Sequence, residues 1–318
     1  MPFIVKDSVI AWVSTLDSRE RIKWLSILNS QLHGAVVMDL AQMSDDQKQQ
    51  CQVAIVANPD VADLLMLPKL QWVQSVWAGV ERLAGHLPAE LPIVRLVDPQ
   101  LAKTMAEAVM AWTLYLHRDI PAYAKAQRNR QWLQRDYIKP EDRRVGVLGL
   151  GELGRASCAV LQRADFKVQG WSRQTKIVAG VSCFDGLEGL HNLLGTTDIL
   201  ICLLPLTTHT KHILDAQTLA LLPRGATIIN FSRGLIIDDQ ALRAALDHGQ
   251  VSHAVLDVFA TEPLPKDSWH WQHDSVTVTP HVAAPTDYET AAAIVCANVR
   301  RYFALGEIPV AVNPATGY

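Results

Sequence analysis

The stretch Val145-Gly146-Val147-Leu148-Gly149-Leu150-Gly151-Glu152-Leu153-Gly154 decides the fold class of this 318-residue chain. A short Val/Leu run is typical of a buried strand, and the glycines after it have the spacing G-x-G-x-x-G. Glycines alone also suit an ordinary turn, but here they open a stretch with helical spacing. In that context they allow a tight turn, close approach of the backbone to a pyrophosphate, and packing of helix on strand. The pattern predicts a dinucleotide-binding unit with residues 149–154 at the cofactor.

Both sides of this loop alternate apolar runs with helix-like stretches. Before it, strands are expected at residues 53–57, 70–77, 93–97 and 145–148; after it, at 167–171, 199–203, 227–231, 253–257 and 275–279. Helices are expected at residues 100–116, 151–164, 239–247 and 288–305. Strands that alternate with helices indicate parallel sheets. The length suits two domains, so the expected fold class is α/β with two such layers.

The end of the strand that follows the glycine loop bears on the choice between NAD and NADP. An enzyme that uses NAD usually places Asp or Glu about twenty residues after the glycines, where it accepts from the ribose 2′-OH. This chain has Trp171, Ser172 and Arg173 there, with Lys176 just beyond. A hydroxyl, a guanidinium and an ammonium can bind a 2′-phosphate that a carboxylate would repel. We therefore expect NADP(H) to be preferred over NAD(H), although a solvated basic loop is the alternative.

Composition argues against several other classes of protein. The net charge is −3 and the pI about 6.4, so we expect no nucleic-acid partner. No apolar run is long enough for a membrane span, the start lacks the features of a signal peptide, and five cysteines are scattered without a C-x-x-C pair. These features indicate a cytoplasmic protein with free thiols. Two H-x-x-H pairs, at residues 209–212 and 270–273, lack a third ligand at a telling spacing, so no metal site is expected.

Several segments together resemble the D-isomer-specific 2-hydroxyacid dehydrogenase family over nearly the whole chain. They are GLGELG at 149–154, WSR at 171–173, LLPLTTHT at 203–210, NFSRG at 230–234, LDVFATEPLP at 256–265 and WQHDSVTVTPHVAA at 271–284. The likeness is greatest to the members that reduce glyoxylate and hydroxypyruvate. The resemblance implies two Rossmann-like domains, one flavodoxin-like and one dinucleotide-binding. The substrate domain would be discontinuous, at residues 1–97 and 286–318, with an NADP-binding domain at 98–285. Trp132 lies where some relatives project a residue into a neighbouring subunit, which implies a homodimer.

The resemblance also assigns roles that the reaction requires. Reduction of a ketone by hydride needs a proton donor near neutral pH and a cation for the substrate oxygens. His281, in the run Thr-Pro-His, would be the donor, and Glu262 would hydrogen-bond it and favour the imidazolium. Arg233 would bind the substrate's carboxylate and carbonyl oxygens with its planar fork. For each of these side chains taken alone, a structural role is the alternative.

The remaining expected contacts concern the nicotinamide and the substrate. Asp257 would accept from the nicotinamide carboxamide, and Leu204 and Pro205 would line the cofactor groove. Substrate contacts would come from Arg233, His281, Met105 and the backbone amides of the loop Trp77-Ala78-Gly79. Trp77 is larger than the residue often found there, which leaves substrate size open, and core packing is the simpler interpretation of Met105.

These inferences predict an NADP-dependent oxidoreductase that reduces small 2-oxo acids such as glyoxylate and hydroxypyruvate. Two alternatives stay open. One is a reductase for bulkier 2-oxo acids. The other is a nicotinamide-binding sensor or corepressor with little turnover, because a fold does not by itself imply a function.

Overall fold

The computed structural model describes residues 8–313, which form two compact units. The first comprises the described residues within Met1–Gln100 and Thr286–Tyr318, and the second is Leu101–Pro285. No helix within residues 8–313 is both long enough and apolar enough to cross a bilayer.

The strands and helices follow one another along the chain in an alternating pattern. In chain order they are β1 (Ser8–Ser14), α1 (Ser18–Gln31), β2 (Ala35–Asp39), α2 (Asp45–Gln50), β3 (Val53–Ala57), α3 (Val61–Leu64), β4 (Trp72–Ser75), β5 (Ile93–Val94), α4 (Pro99–His117), α5 (Ile120–Arg128), β6 (Arg144–Leu148), α6 (Glu152–Arg163), β7 (Lys167–Ser172), β8 (Ser182–Asp185), α7 (Gly186–Leu194), β9 (Ile199–Cys202), α8 (Ala216–Ala220), β10 (Ala226–Asn230), α9 (Asp239–Asp247), β11 (Val251–Leu256), β12 (Val276–Val278) and α10 (Tyr288–Leu305). Short 3-10 turns lie at Leu40–Gln42, Pro140–Asp142, Gly234–Ile236 and Trp269–Trp271.

The first unit is built on a five-stranded sheet in the order β2-β1-β3-β4-β5, with every pair parallel. This is the strand order of flavodoxin-like sheets. The central strand β3 is buried at every position, as expected of a parallel strand covered on both faces. Helix α10 belongs to this unit and buries Ala291, Val295 and Val299 in the same cluster as Trp24 of α1.

The second unit has a seven-stranded sheet in the order β12-β11-β10-β9-β6-β7-β8, again parallel throughout. The chain runs outward from β6 to β7 and β8, then returns to the other side of β6 at β9. This reversal leaves a crevice at the carboxyl ends of β6 and β9, where ligands of open α/β sheets bind. The glycine loop follows β6 directly, so the sheet places it at that crevice.

The structure confirms the predicted α/β class with two parallel sheets. Strand β3 and helices α9 and α10 have the predicted bounds, and β4 to β7 and β9 to β12 lie within three residues of theirs. The sequence reasoning did not name β1, β2 and β8. Strands β2 and β8 lie at sheet edges, where a strand pairs on one side only and carries a weaker apolar signal.

Candidate active site

The glycine loop of the second unit has the close backbone contacts that its sequence predicts. Gly149 has φ +105°, and its N–H donates to the carbonyl of Trp171 at 2.8 Å. A Cβ on Gly149 would lie 2.7 Å from the Leu203 carbonyl oxygen, and one on Gly154 would collide with the Gly149 carbonyl. A Cβ on Gly151 would meet nothing within 4 Å. Gly151 therefore borders open space at the amino end of α6, whose cap makes no side-chain hydrogen bond. A pyrophosphate fits this cradle.

Two cations lie beside the loop. The Lys176 ammonium donates to the Leu150 carbonyl at 3.3 Å, and Arg155 pairs with Glu152 at 3.8 Å. Partial burial and the nearby charge of Arg155 lower the pKa of Lys176. Arg155 was not singled out from the sequence; it lies on the first turn of α6, one residue after the last glycine, where anions bind.

Other predicted cofactor residues support the loop through their packing. The indole of Trp171 is buried and donates to the Gly186 carbonyl at 2.8 Å. The side chains of Leu150 and Leu204 are buried, Leu153 packs against a core cluster, and the Ser172 hydroxyl donates to the Gln174 carbonyl at 2.7 Å. Direct contacts of these residues with a cofactor stay predictions, as do those of Arg173 and Pro205.

Asp257 holds the turn that carries His281. Its Oδ1 accepts from the Thr279 hydroxyl at 2.6 Å and from the N–H of Val282 at 2.8 Å, and its Oδ2 accepts from the N–H of Ala283 at 2.9 Å. The carbonyl of Asp257 also accepts from the N–H of His281 at 2.8 Å. With only 1% of its surface exposed, Asp257 is an anchor for the turn. Its predicted contact with the nicotinamide carboxamide is not tested by these bonds.

His281 occupies a strained backbone position and faces a carboxylate. Its φ is +55°, a left-handed conformation that is uncommon for residues other than Gly, although Asn, Asp and His adopt it more often than the rest. Strain of this kind concentrates at functional sites and persists only where surrounding bonds enforce it. The imidazole Nδ1 lies 2.8 Å from Oε2 of Glu262, and half of the side chain is exposed. Within residues 8–313, no hydrogen bond occupies Nε2.

Glu262 is held ionised against His281. Its Oε1 accepts from the N–H of Phe259 at 2.9 Å. Partial burial raises the pKa of Glu262, but the hydrogen bonds from His281 and Phe259 outweigh it. With the charges of His281 and Arg233, they leave the pKa of Glu262 below its usual range.

Arg233 lies close to this pair because two loops meet backbone to backbone. A Cβ on the neighbouring Gly234 would collide with the carbonyl carbon of Phe259, so only glycine permits this approach. The carbonyl of Arg233 accepts from the Asn230 amide at 3.0 Å. The Asn230 amide oxygen in turn accepts from the Ser232 hydroxyl at 2.7 Å. The structure thus brings together all three predicted catalytic residues in the second unit.

The predicted substrate loop lies in the first unit. The N–H of Trp77 donates to Ser75 Oγ at 3.0 Å, so this amide is already engaged. The N–H groups of Ala78 and Gly79 have no acceptor in the part of the chain that the structure describes. The Trp77 ring packs edge-on against Trp24, with centroids 6.0 Å apart, and therefore belongs to this unit's core.

Met105 is buried in the second unit. It lies in the cluster that contains Phe231, and Ala283 and Ala284 pack against the same cluster. Core packing, the simpler interpretation from the sequence, accounts for this placement. Elsewhere in residues 8–313, no group of three or more His, Cys, Asp or Glu side chains could hold a metal ion.

Comparison with known proteins adds to this geometry. The family model for the D-isomer specific 2-hydroxyacid dehydrogenase, NAD binding domain, matches residues 110–283, more than half of the chain. The chain belongs to the D-isomer specific 2-hydroxyacid dehydrogenase family. It is therefore an oxidoreductase, and the resemblance noted in its sequence motifs is confirmed.

Relatives of this dehydrogenase match along nearly their full length. Glyoxylate/hydroxypyruvate reductase A of Yersinia enterocolitica is 36% identical over 307 residues, 94% of this chain and 97% of that protein. A D-isomer specific 2-hydroxyacid dehydrogenase from Xanthobacter autotrophicus Py2, solved in complex with NADPH and MES, is 38% identical. Its TM-score is 0.90, and the match covers 98% of this chain and 99% of that one. An NADPH-dependent glyoxylate/hydroxypyruvate reductase from Sinorhizobium meliloti, in complex with NADP and sulfate, is 32% identical with a TM-score of 0.88, over 98% of this chain and 100% of that one.

Proposed function

We propose that this dehydrogenase reduces small 2-oxo acids, with glyoxylate and hydroxypyruvate as the first candidates, using NADPH as reductant and His281 as proton donor. One observation carries the proposal. The imidazole Nδ1 of His281 is 2.8 Å from Glu262, while Nε2 is without a hydrogen-bond partner among residues 8–313. A histidine oriented in this way has one nitrogen available to a substrate oxygen.

The three side chains have distinct tasks in the proposed reaction. Bound NADPH supplies a hydride to the carbonyl carbon of the 2-oxo acid. His281 gives the proton on Nε2 to the carbonyl oxygen, and Glu262 stabilises the imidazolium that must be present beforehand. The guanidinium of Arg233 binds the substrate oxygens and stabilises the negative charge that develops on the carbonyl oxygen. The product is the 2-hydroxy acid.

The preference for NADPH rests on charge. Arg173 and Lys176 follow β7 where a carboxylate would select NAD, and Arg155 adds a third cation near Lys176. The X. autotrophicus relative was solved with NADPH and the S. meliloti relative with NADP, which supports the same preference here.

We propose that the two parts of the chain bind different molecules. We assign substrate binding to residues 1–97 and 286–318 and cofactor binding to residues 98–285. The amides of Ala78 and Gly79 would bind the substrate carboxylate. The Trp77 ring packs against Trp24 in the core of the first unit, so this loop would meet the substrate with its backbone rather than with that ring.

We further propose that the protein is a cytoplasmic homodimer. Trp132 is 94% exposed and Tyr137 is 63% exposed in the segment between α5 and β6, a concentration of apolar surface that suits self-association. The five free thiols suit a reducing compartment. Sedimentation of the wild type and of Trp132→Ala tests the dimer.

The direct test is an assay of purified protein at 340 nm with NADPH or NADH against glyoxylate, hydroxypyruvate, pyruvate and phenylpyruvate. We expect NADPH oxidation with the small acids and much slower NADH oxidation. Turnover that is faster with phenylpyruvate would favour a reductase of bulkier acids. Tight NADPH binding without turnover of any acid would contradict the proposal and favour a sensor.

The role of His281 is tested by His281→Asn, because asparagine tolerates the left-handed backbone that alanine does not. We expect kcat to fall by about 10²- to 10⁴-fold, the usual contribution of a general acid. The Kd of NADPH, followed by fluorescence, should be unchanged. A variant that keeps wild-type kcat would exclude His281 as the proton donor.

A further inference from the structure

His270, in the segment between β11 and β12, forms a histidine–carboxylate pair that is separate from His281–Glu262. His270 is 7% exposed, and both of its ring nitrogens have partners. Its Nε2 lies 2.8 Å from Oδ1 of Asp239, the first residue of α9, and its Nδ1 lies 2.7 Å from the Ser268 hydroxyl. The proposed reaction uses none of these groups.

Trp269 completes the fixation of His270. Its indole stacks on the imidazole with centroids 4.0 Å apart and planes 23° from parallel. The indole Nε1 donates to Oδ2 of Asp239 at 2.8 Å. The two oxygens of Asp239 therefore bind two adjacent rings, and the hydrogen bond from His270 is the chief reason that the pKa of Asp239 lies below its usual range. The His270 ring cannot move without breaking bonds on both of its edges.

The His270 ring also contacts the residue that holds Glu262. The Phe259 ring lies edge-on to His270, with centroids 5.2 Å apart and planes at 81°. The N–H of Phe259 donates to Oε1 of Glu262, and the Phe259 backbone is the one pressed against Gly234, next to Arg233. Phe259 thus connects a fixed ring to the carboxylate that faces His281.

The contact between the rings of His270 and Phe259 lies beside a cavity. A space of about 200 Å³ is bordered by Phe259, His270, Gly234 and Asp239. The Phe259 ring also packs against the core cluster of this unit, and beside this space it contacts His270, which adds to the packing that holds the ring. Removal of the imidazole would enlarge the space and let Phe259 shift, and its N–H would shift with it.

We infer that His270 is a positioning residue for the catalytic pair, acting through Phe259 to hold Glu262 within hydrogen-bond reach of His281. This inference rests on the proposed function, because it gives Glu262 its task of stabilising the His281 imidazolium. His270 itself would contact neither the substrate nor the cofactor in the proposed reaction.

The test is His270→Ala, with His273→Ala as a matched control. His273 lies in the same segment, pairs with Asp247 at 3.2 Å and also contacts Trp269, but it makes no ring contact with Phe259. We expect His270→Ala to lower kcat by about tenfold, to leave the Kd of NADPH unchanged, and to move the acid limb of the kcat/KM pH profile upward. The limb should move because the hydrogen bond from the Phe259 N–H is one of those that lower the pKa of Glu262. His273→Ala should change neither quantity.

A double-mutant cycle with Glu262→Gln separates positioning from general loss of structure. If His270 acts through Glu262, His270→Ala should have little further effect on kcat or on the pH profile once Glu262 is glutamine. Asp239→Asn, which keeps the side-chain volume, should act in the same direction with a smaller effect and serves if His270→Ala does not fold.

The possible outcomes distinguish this inference from the proposed function. Full turnover in His281→Asn would overturn the proposed function and the inference together. If His281→Asn is inactive and Glu262→Gln lowers kcat, but His270→Ala and Asp239→Asn change neither kcat nor the acid limb, only the inference is wrong. Additive effects of His270→Ala and Glu262→Gln would also overturn it.

Discussion

At the amino edge of the seven-stranded sheet, Arg144 and Asp198 form an ion pair, whereas at its carboxyl edge Glu262 and His281 do. Asp198 accepts from the backbone N–H of Arg144 at 2.8 Å and from its guanidinium at 3.2 and 3.4 Å. Strand β11 shows the same division along its length. His253, near its start, is buried against Thr277, while Asp257, just after its end, fixes the turn of His281.

The two edges differ in whether their polar atoms already have hydrogen-bond partners. At the amino edge, both oxygens of the Asp198 carboxylate accept hydrogen bonds from Arg144, which joins the starts of β6 and β9. At the carboxyl edge, Nε2 of His281 has no hydrogen-bond partner among the described residues 8–313, and no side chain there caps the amino end of α6. One edge therefore contributes stability, and the other keeps strained or unsatisfied groups that a ligand can complete. Substitutions at the two edges should change different measurements.

The largest effect is expected for Glu262→Gln at the carboxyl edge. Glutamine keeps the shape but loses the charge that favours the His281 imidazolium, so kcat should fall by about a hundredfold, within the range of a general-acid contribution. Because glutamine does not titrate, the acid limb that Glu262 sets in the kcat/KM profile should also be lost. Steady-state kinetics across acid and neutral pH would measure both. A kcat and a pH profile like those of the wild type would show that Glu262 takes no part in the reaction.

The next effect concerns the cofactor. Arg173→Ala should weaken NADPH binding by about ten- to a hundredfold, because a charged hydrogen bond is worth about 1.5–3 kcal/mol. NADH binding should be unaffected, since it has no 2′-phosphate. Fluorescence titration with both cofactors measures the two Kd values. Equal losses for NADPH and NADH would instead indicate damage to the loop after β7.

Much of this site could be predicted from the sequence because its main residues lie in short local motifs. The glycine loop is fixed by a strand, a turn and a helix in succession, and His281 and Glu262 each lie within segments with a recognisable pattern. The family resemblance, rather than spacing alone, brought Arg233, Glu262 and His281 together. Short motifs of neighbouring residues thus account for most of the predicted residues that the structure brings together.

The parts that could not be predicted depend on folding between distant loops. The Phe259 N–H binds Glu262 only because the loop after β11 turns back on itself, and His270 contacts Phe259 only because the chain returns after Pro265. Asp257 was expected to face the nicotinamide, yet its bonds to the 279–283 turn required knowing how two strand ends meet. No periodicity in the sequence reports such contacts.

A smaller effect, on stability alone, is expected at His253. Burial, followed by the charge of His273, lowers the pKa of His253 to about 4. The ordinary pKa of histidine is about 6.5, so between these two pH values His253 is protonated in the unfolded chain and neutral in the folded one. The contribution of neutral His253 to the free energy of unfolding is therefore fully present above about pH 6.5. It is lost as pH falls toward 4, by about 2 kcal/mol at pH 5.

His253→Gln should remove this loss, because glutamine can still bond Thr277 and does not titrate. Urea denaturation at pH 7.5 and pH 5 would show the gap between the two unfolding free energies shrinking by about 2 kcal/mol relative to the wild type. The kcat at pH 7.5 should stay within about twofold, since His253 is remote from the carboxyl edge. A gap of unchanged size would show that other groups cause the acid sensitivity.

The smallest effect separates the two edges most cleanly. Asp198→Asn removes the charge at the amino edge while keeping the side-chain shape, and Arg144 is 41% exposed, so screening by solvent limits the loss to about 1 kcal/mol. The midpoint of thermal unfolding should fall by a few degrees, while kcat and the Kd of NADPH stay at wild-type values. Glu262→Gln should give the opposite result, a lower kcat with an unchanged melting temperature. A fall in kcat on Asp198→Asn would mean that strain passes along β6 or β9 to the glycine loop, and the two edges would then not be independent.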